Sequence, residues 1–331
     1  MDFLTKSLPE ITGITYAKLS RARIDVAPLP EAVGLSIAKP KIMMGIEVEV
    51  ENYRNEVQFR TGLWQRREDG SLRNHGWEFV TPPICGQTLI NAISDICNTL
   101  PQEIDFSPRT SIHAHINYRD TTMETIINTV VVYLVFEKIL YQFAGADRWD
   151  NIFCVPLQET EVPADIGRYL KTGKLGELFG TWDKYAGLNL RPLLNPEFGT
   201  IEYRQMRGHR DPVLLLKWIN LIQRIKIFAK TTRLAALLPY VKSLNTTSAY
   251  EQFLRDVFKE DAPTLLTYDI NYGDLKQAME SGVTSVKLIT LPSAFIERLK
   301  HSITPDSLLV TKTGVQLVEP EEKKKQISTG Y

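Results

Sequence analysis

A chain of 331 residues, 43% of them hydrophobic, can bury a full core as one large domain or two ordinary ones, which excludes overall disorder. Lys+Arg and Asp+Glu each number 39, and zero net charge argues against a general nucleic-acid or membrane-surface binder. The three cysteines, Cys85, Cys97 and Cys154, form no CxxC pair, so a disulfide framework or cysteine-rich zinc site is not expected and a reducing cytoplasm fits.

In chain order, residues 1–41, with prolines at 9, 28, 30 and 40, read as a leader packed on the main body. "MDFLTKSLPEITG" lacks the basic-then-apolar pattern of a signal peptide. Residues 42–51, containing "GIEVEVE", read as a strand. Its parity places Glu47, Glu49 and Glu51 on one face, about 7 Å apart, and Ile46, Val48 and Val50 on the other. Glu51, near the strand end, is expected to face solvent. Residues 57–83 read as a hairpin or meander with a turn at Asp69-Gly70 and a stop at Pro82-Pro83. Within it "GWEFV" sets Glu78 opposite Trp77 and Phe79.

Residues 86–101 have helical spacing, and "SIHAHINY" (111–118) alternates as a strand with His113, His115 and Asn117 on one face. A long helix is expected at about 121–143. Its apolar run is interrupted by Asn128 and Glu137-Lys138, so it reads as buried, not membrane-spanning. "KYAGLNLRPLLN" (184–195) and "GTIEYRQMRG" (199–208) read as an antiparallel pair, the second holding Glu202 and Arg204 on one face. A helix follows at 211–233, with Asp211 as N-cap and Pro212 at its first position. Short helices are expected at 247–261 and 274–283, with a charged tail at 319–331. The expected division is a leader at 1–41, a catalytic domain at 42–240 and a helical extension with the tail at 241–331. The class is α+β with a largely antiparallel, curved sheet and helices on its outer face.

Taken singly, each polar motif has a plain reading. Alternating glutamates suit a solvated edge strand, "IEYR" a cross-strand salt bridge, and Cys154, with apolar flanks, a buried thiol. Combined, several carboxylates, two imidazoles and an arginine on one face of a sheet are too costly to leave unpaired. Mg²⁺ or Mn²⁺ resolves the clash, and a polycarboxylate floor with an arginine suits phosphoryl transfer. Neither GxxxxGK[ST] nor GxGxxG is present. The "RGHRD" loop, with Arg207, His209 and Arg210, suits a phosphate or a substrate carboxylate as well as it suits plain solvent exposure.

The order "GIEVEVE", "DGS", "GWEFVTPP", "SIHAHIN", "LNL", "GTIEYR" resembles the amidoligases, carboxylate–amine ligases of the glutamine synthetase / glutamate–cysteine ligase superfamily with many phage and bacterial members. The likeness spans roughly residues 42–230. It implies a glutamine synthetase-like catalytic fold, unrelated to ATP-grasp enzymes, that binds ATP and Mg²⁺ and forms an amide through an acyl phosphate. By that resemblance Glu47, His113 and Glu202 match ligands of the metal bridging the ATP phosphates, and Glu49 and Glu78 those of the metal near the acyl substrate. His115 matches a nucleotide-side histidine and Arg204 the arginine that stabilises the moving phosphoryl group. Asn117 is placed with them on the ATP side. Asp69 lies where an extra acidic ligand occurs in the glutamate–cysteine ligases, although its spacing to Glu78 differs. The implied partners are a small-molecule or peptide carboxylate and an amine donor, with no nucleic acid and no membrane, and a homo-oligomer is left open. A metal-dependent phosphoesterase or other hydrolase, and a non-catalytic binding or structural protein keeping the fold, are the alternatives.

Overall fold

Alternating burial in "MGIEVEV" makes Met44–Val50 (β1) a strand whose apolar residues enter the core while Glu47 and Glu49 face the other way. The computed structural model describes residues 2–19, 40–54, 56–266, 272–290, 309–311 and 314–316. The expected tail at 319–331, and residues 20–39 of the expected leader, lie outside the described residues. The other strands of the main sheet are β2 (Gln65–Arg67), β3 (Trp77–Val80), β4 (Ser111–Asn117), β5 (Leu188–Asn189) and β6 (Thr200–Arg207). They form one open antiparallel sheet of six strands in the order β2-β3-β1-β4-β6-β5. The class is therefore α+β, with β1 and β4 at the centre.

The register brings the polar positions together. Glu49 lies opposite Glu78, Glu47 opposite His113, His115 opposite Glu202, and Asn189 opposite Glu202. The β4–β6 register shifts between Ile112 and Ala114, where β6 carries one extra residue. Arg204 shares the polar face with Glu202 by alternation, and the bulge after it turns Met206 into the core.

The apolar face, with Ile46, Val48, Ile112, Ala114, Ile116, Ile201 and Tyr203, joins one continuous core with the helices. The leading helices are α1 (Leu8–Thr12), α2 (Gly86–Thr99) and α3 (Met123–Ala144). Helix α3 is buried almost all round because β6 and the later helices pack around it. It is the one helix among the described residues long and apolar enough to cross a membrane, and most of it lies inside the core. Glu137 on α3 is fully buried and accepts from the Leu157 and Gln158 backbone N–H groups at 2.6 and 2.9 Å. Burial pushes this carboxyl up to about 8.

Helices α4 (Val162–Thr172) and α5 (Leu175–Phe179) follow. Helix α6 (Pro212–Thr231) starts where expected, with the Asp211 carboxylate accepting from Val213 and Leu214 N–H at 2.8 and 3.1 Å. Beyond it come α7 (Leu234–Ser243), α8 (Thr247–Phe258), α9 (Ala262–Leu266) and α10 (Tyr272–Lys287). Helix α10 is longer than the expected 274–283, and it packs on α3, α7 and α8.

One expectation fails within β1's own motif. Glu51 does not face solvent: it is buried, and its Oε1 accepts from Arg73 N–H at 2.7 Å. The regular strand ends at Val50, and the Glu51 backbone pairs instead with Asp105, at 3.0 and 2.9 Å. Glu51 thus anchors the 72–76 loop. Cys154 is buried as expected, donates to the Arg148 carbonyl at 3.3 Å, and burial raises its pKa.

Candidate active site

The centre of the polar face is His113 on β4. Its Nδ1 lies 3.1 Å from Glu47 Oε2 and 3.4 Å from Glu202 Oε1, and its Nε2 lies 2.8 Å from Ser111 Oγ. Ser111 is buried and donates twice to Glu49 Oε2, from its N–H at 2.8 Å and its hydroxyl at 2.7 Å. His115 Nε2 lies 3.1 Å from Glu47 Oε1 and 3.7 Å from Glu202 Oε1, its Nδ1 meets Thr200 Oγ1 at 3.0 Å, and its ring stacks on Phe198. Asn189 donates to Glu202 Oε2 at 2.7 Å, and the Arg204 guanidinium is paired with Glu202 Oε1.

Two overlapping groups can hold a cation. Glu47, His113 and Glu202 each offer a ligand atom within 4.8 Å of the others, and so do Glu49, Glu78 and His113. Carboxylates with one imidazole are a donor set for a hard divalent ion such as Mg²⁺ or Mn²⁺. The electrostatics agree. Burial alone would raise Glu47 and Glu202, yet His115 and His113, with Arg204 for Glu202, hold both carboxyls below the usual range. Burial works against a charged His115, but Glu47 and Glu202 lift it to about 9. Glu78 has no such help. Burial, then Glu47, Glu49 and Asp69, push it up to about 8.

A cation at Glu49 and Glu78 must therefore displace a proton near neutral pH. Affinity for Mg²⁺ should rise as pH climbs from 6 towards 9, with proton release on binding that fades above about 8. Calorimetry in buffers of different ionisation enthalpy measures that release. A pH-independent affinity would contradict it.

Two cavities flank the cluster. One, of about 190 Å³, is bordered by Met44, Pro82, Phe198 and Arg119 together with Glu47 and His115. The other, of about 290 Å³, is bordered by Glu49, Asp69, Arg109, Lys184, Tyr185 and Arg204. Arg109 is held in place there. Its Nη1 donates to the Ser71 carbonyl at 3.1 Å and its guanidinium lies 5.1 Å from the Phe153 ring centroid.

The structure thus gathers Glu47, Glu49, Glu78, His113, His115, Glu202 and Arg204 in one place, with Asn117 at the first cavity and Asp69 at the second. Arg207, His209 and Arg210 border neither cavity. Arg210 donates to the Leu100 and Pro101 carbonyls, Arg207 faces Asp147 at 3.8 Å, and His209 Nδ1 accepts from Asp211 N–H. That loop is engaged in tying β6 to the ends of α2 and α6. Sequence reasoning missed Ser111, Asn189, Arg109 and Lys184. Ser111 shares strand parity with His113, which was the available signal. The other three reach the site from loops or a two-residue strand, where no periodicity exists to read.

The family model described as "Putative amidoligase enzyme" matches residues 47–226, more than half of the chain and the whole span from Glu47 past Arg204. Among solved structures, one described as a "novel glutamine synthase homolog" is similar over 81% of this chain and 69% of its own, at 10% identity and a TM-score of 0.30. No curated protein matches. On the family match, the chain belongs to the amidoligase family of enzymes.

Proposed function

We propose that the protein is an ATP-dependent carboxylate–amine ligase that forms an amide through an acyl phosphate. The observation that carries this reading is the pairing of two carboxylate groups on one sheet face, between a largely apolar-walled cavity and a cation-lined one. The first cavity, at about 190 Å³, is too small to enclose a nucleotide and suits part of one laid across it, with Phe198 and the apolar wall beside the base and the phosphates towards Glu47 and His115. The second, at the small end of the usual ~300–1,000 Å³ range for ligand cavities, suits a small acid or the acidic end of a peptide.

Glu47, His113 and Glu202 would hold one Mg²⁺ or Mn²⁺ and Glu49 with Glu78 a second, and such ions supply charge neutralisation for phosphates and a carboxylate held side by side. In the reaction a carboxylate oxygen of the acid attacks the γ-phosphorus, ADP leaves, and the amine then displaces phosphate from the acyl carbon. Arg204 lies against Glu202 at the boundary of the second cavity, where it can stabilise the phosphoryl group in transit. Asn189 and His115 hold the Glu202 and Glu47 oxygens in place. The attacking amine must lose a proton, and Asp69 is a carboxylate of that cavity outside both cation groups.

Arg109 and Lys184 are the recognition elements assigned to the acid. Neither has a carboxylate partner among the described residues. Arg109→Met should raise KM for the acid about 10- to 100-fold, the loss of one charge-assisted hydrogen bond, and leave KM for ATP within about 2-fold. An unchanged acid KM would contradict that assignment. For the reading as a whole, the test is ADP release from MgATP with a panel of acids and amines. Amine-dependent ADP formation with an amide product is expected. Phosphoester hydrolysis without ATP would point to the hydrolase instead.

A further inference from the structure

We propose that Ser111 is a positioning residue that keeps a proton on His113 Nε2 and thereby commits His113 Nδ1 to the Glu47–Glu202 cation site. This rests on the cation-binding reading of the cluster. A serine hydroxyl has one proton to give. Glu49 Oε2 already accepts the Ser111 backbone N–H at 2.8 Å, so at 2.7 Å from Ser111 Oγ it is the acceptor of the hydroxyl proton as well. The second neighbour of Oγ, His113 Nε2 at 2.8 Å, must then be the donor. The remaining ring nitrogen, Nδ1, faces two carboxylate oxygens, Glu47 Oε2 at 3.1 Å and Glu202 Oε1 at 3.4 Å. A ring nitrogen set between two such oxygens takes a positive centre among all three, a proton in the metal-free chain or a cation in its place.

By position alone His113 belongs to both candidate cation groups. The hydrogen-bond logic divides them. Nε2 is 3.9 Å from Glu49 Oε1 and is engaged by Ser111, so it is not a donor to a cation at Glu49 and Glu78. The two sites are therefore unequal: one has an imidazole nitrogen and two carboxylates, the other carboxylates alone. An imidazole donor raises preference for Mn²⁺ over Mg²⁺, so the two ions should sort between the sites. Ser111 links them, because the hydroxyl that sets His113 also fixes Glu49.

The test uses the full chain with ¹⁵N-labelled histidine. Ring correlations in the metal-free protein should show His113 protonated at Nε2, and that proton should persist when Mg²⁺ is added. In parallel, Mn²⁺ titration followed by electron paramagnetic resonance should find two unequal sites in the wild type. Ser111→Ala should weaken the site that contains the imidazole about 10- to 100-fold, with a smaller change at the Glu49 site that the same hydroxyl fixes, and Ser111→Thr, which restores the hydroxyl, should recover both. A wild-type His113 with its proton on Nδ1 alone, or a Ser111→Ala protein that binds Mn²⁺ like the wild type, overturns the assignment. A wild type with Nε2 protonated that binds no Mn²⁺ overturns the cation reading, and this assignment with it.

Discussion

Glu202→Gln should lower ADP formation by about 10²- to 10³-fold, the scale set by losing an electrostatic element of a preorganised site, while the protein stays folded. Glu202 is the convergence point of the cluster. It meets Arg204, His113, His115 and Asn189 at once, and strand β6 delivers it directly opposite His115. Glutamine keeps the size and one acceptor oxygen. It loses the charge that pairs with Arg204 and His115, which a cation would share. The fold has little at stake in that charge, because the core residues of β6 point the other way, with Ile201, Tyr203 and Met206 buried on the apolar face. Far-UV circular dichroism should be unchanged and the Tm should fall by only a few degrees, corresponding to ~1–2 kcal/mol in a chain of this size. A fully active Glu202→Gln protein would remove this cluster from the chemistry.

Arg204→Lys should reduce the rate of ADP formation about 10²- to 10³-fold, in the range seen when one transition-state donor is lost, with nucleotide affinity changed only a few-fold. The substitution keeps a positive charge next to buried Glu202, so it avoids an unpaired carboxylate. It removes the planar fork, which here pairs with Glu202 and also reaches the Phe153 carbonyl at 3.4 Å. A rate effect without a binding effect is the signature of a group that acts mainly on the moving phosphoryl. Equal losses in kcat and nucleotide affinity would instead make Arg204 a binding residue. Single-turnover kinetics with a nucleotide-binding titration separates the two.

Strand parity made most of this site legible. Glu47 and Glu49, His113 and His115, and Glu202 and Arg204 each sit two residues apart on regular strands, and period-two alternation is a rule a sequence displays openly. That those strands share one antiparallel sheet followed from the resemblance, and not from spacing, and their neighbour order came only with the structure. Parity failed where the strand stopped. Glu51 looked like the third member of the acidic row, but the chain leaves β1 after Val50 and turns Glu51 into an anchor for Arg73. The β6 bulge that takes Met206 out of strict alternation and into the core was equally invisible, since nothing in "IEYRQMRG" announces an extra residue. Arg207, His209 and Arg210 were suggested by charge alone, and the structure uses them locally: Arg210 donates to the Leu100 and Pro101 carbonyls, His209 accepts from Asp211 N–H, and Arg207 faces Asp147. Helices α4, α5 and α7 were not foreseen, being short and set among prolines and glycines where periodicity has little room. The cation-lined cavity escaped for a related reason: Asp69, Arg109 and Lys184 lie far apart in the chain and meet only through tertiary structure.

The most direct measurement is the source of oxygen in the released phosphate. The protein is incubated with MgATP and a mixture of unlabelled acids and amines in H₂¹⁸O, and the phosphate is analysed by mass. If a carboxylate oxygen attacks the γ-phosphorus and an amine then displaces phosphate from the acyl carbon, the phosphate carries an oxygen from the acid and none from solvent. Phosphate that contains ¹⁸O would mean that water, not a carboxylate, receives the phosphoryl group, and that the protein is a hydrolase.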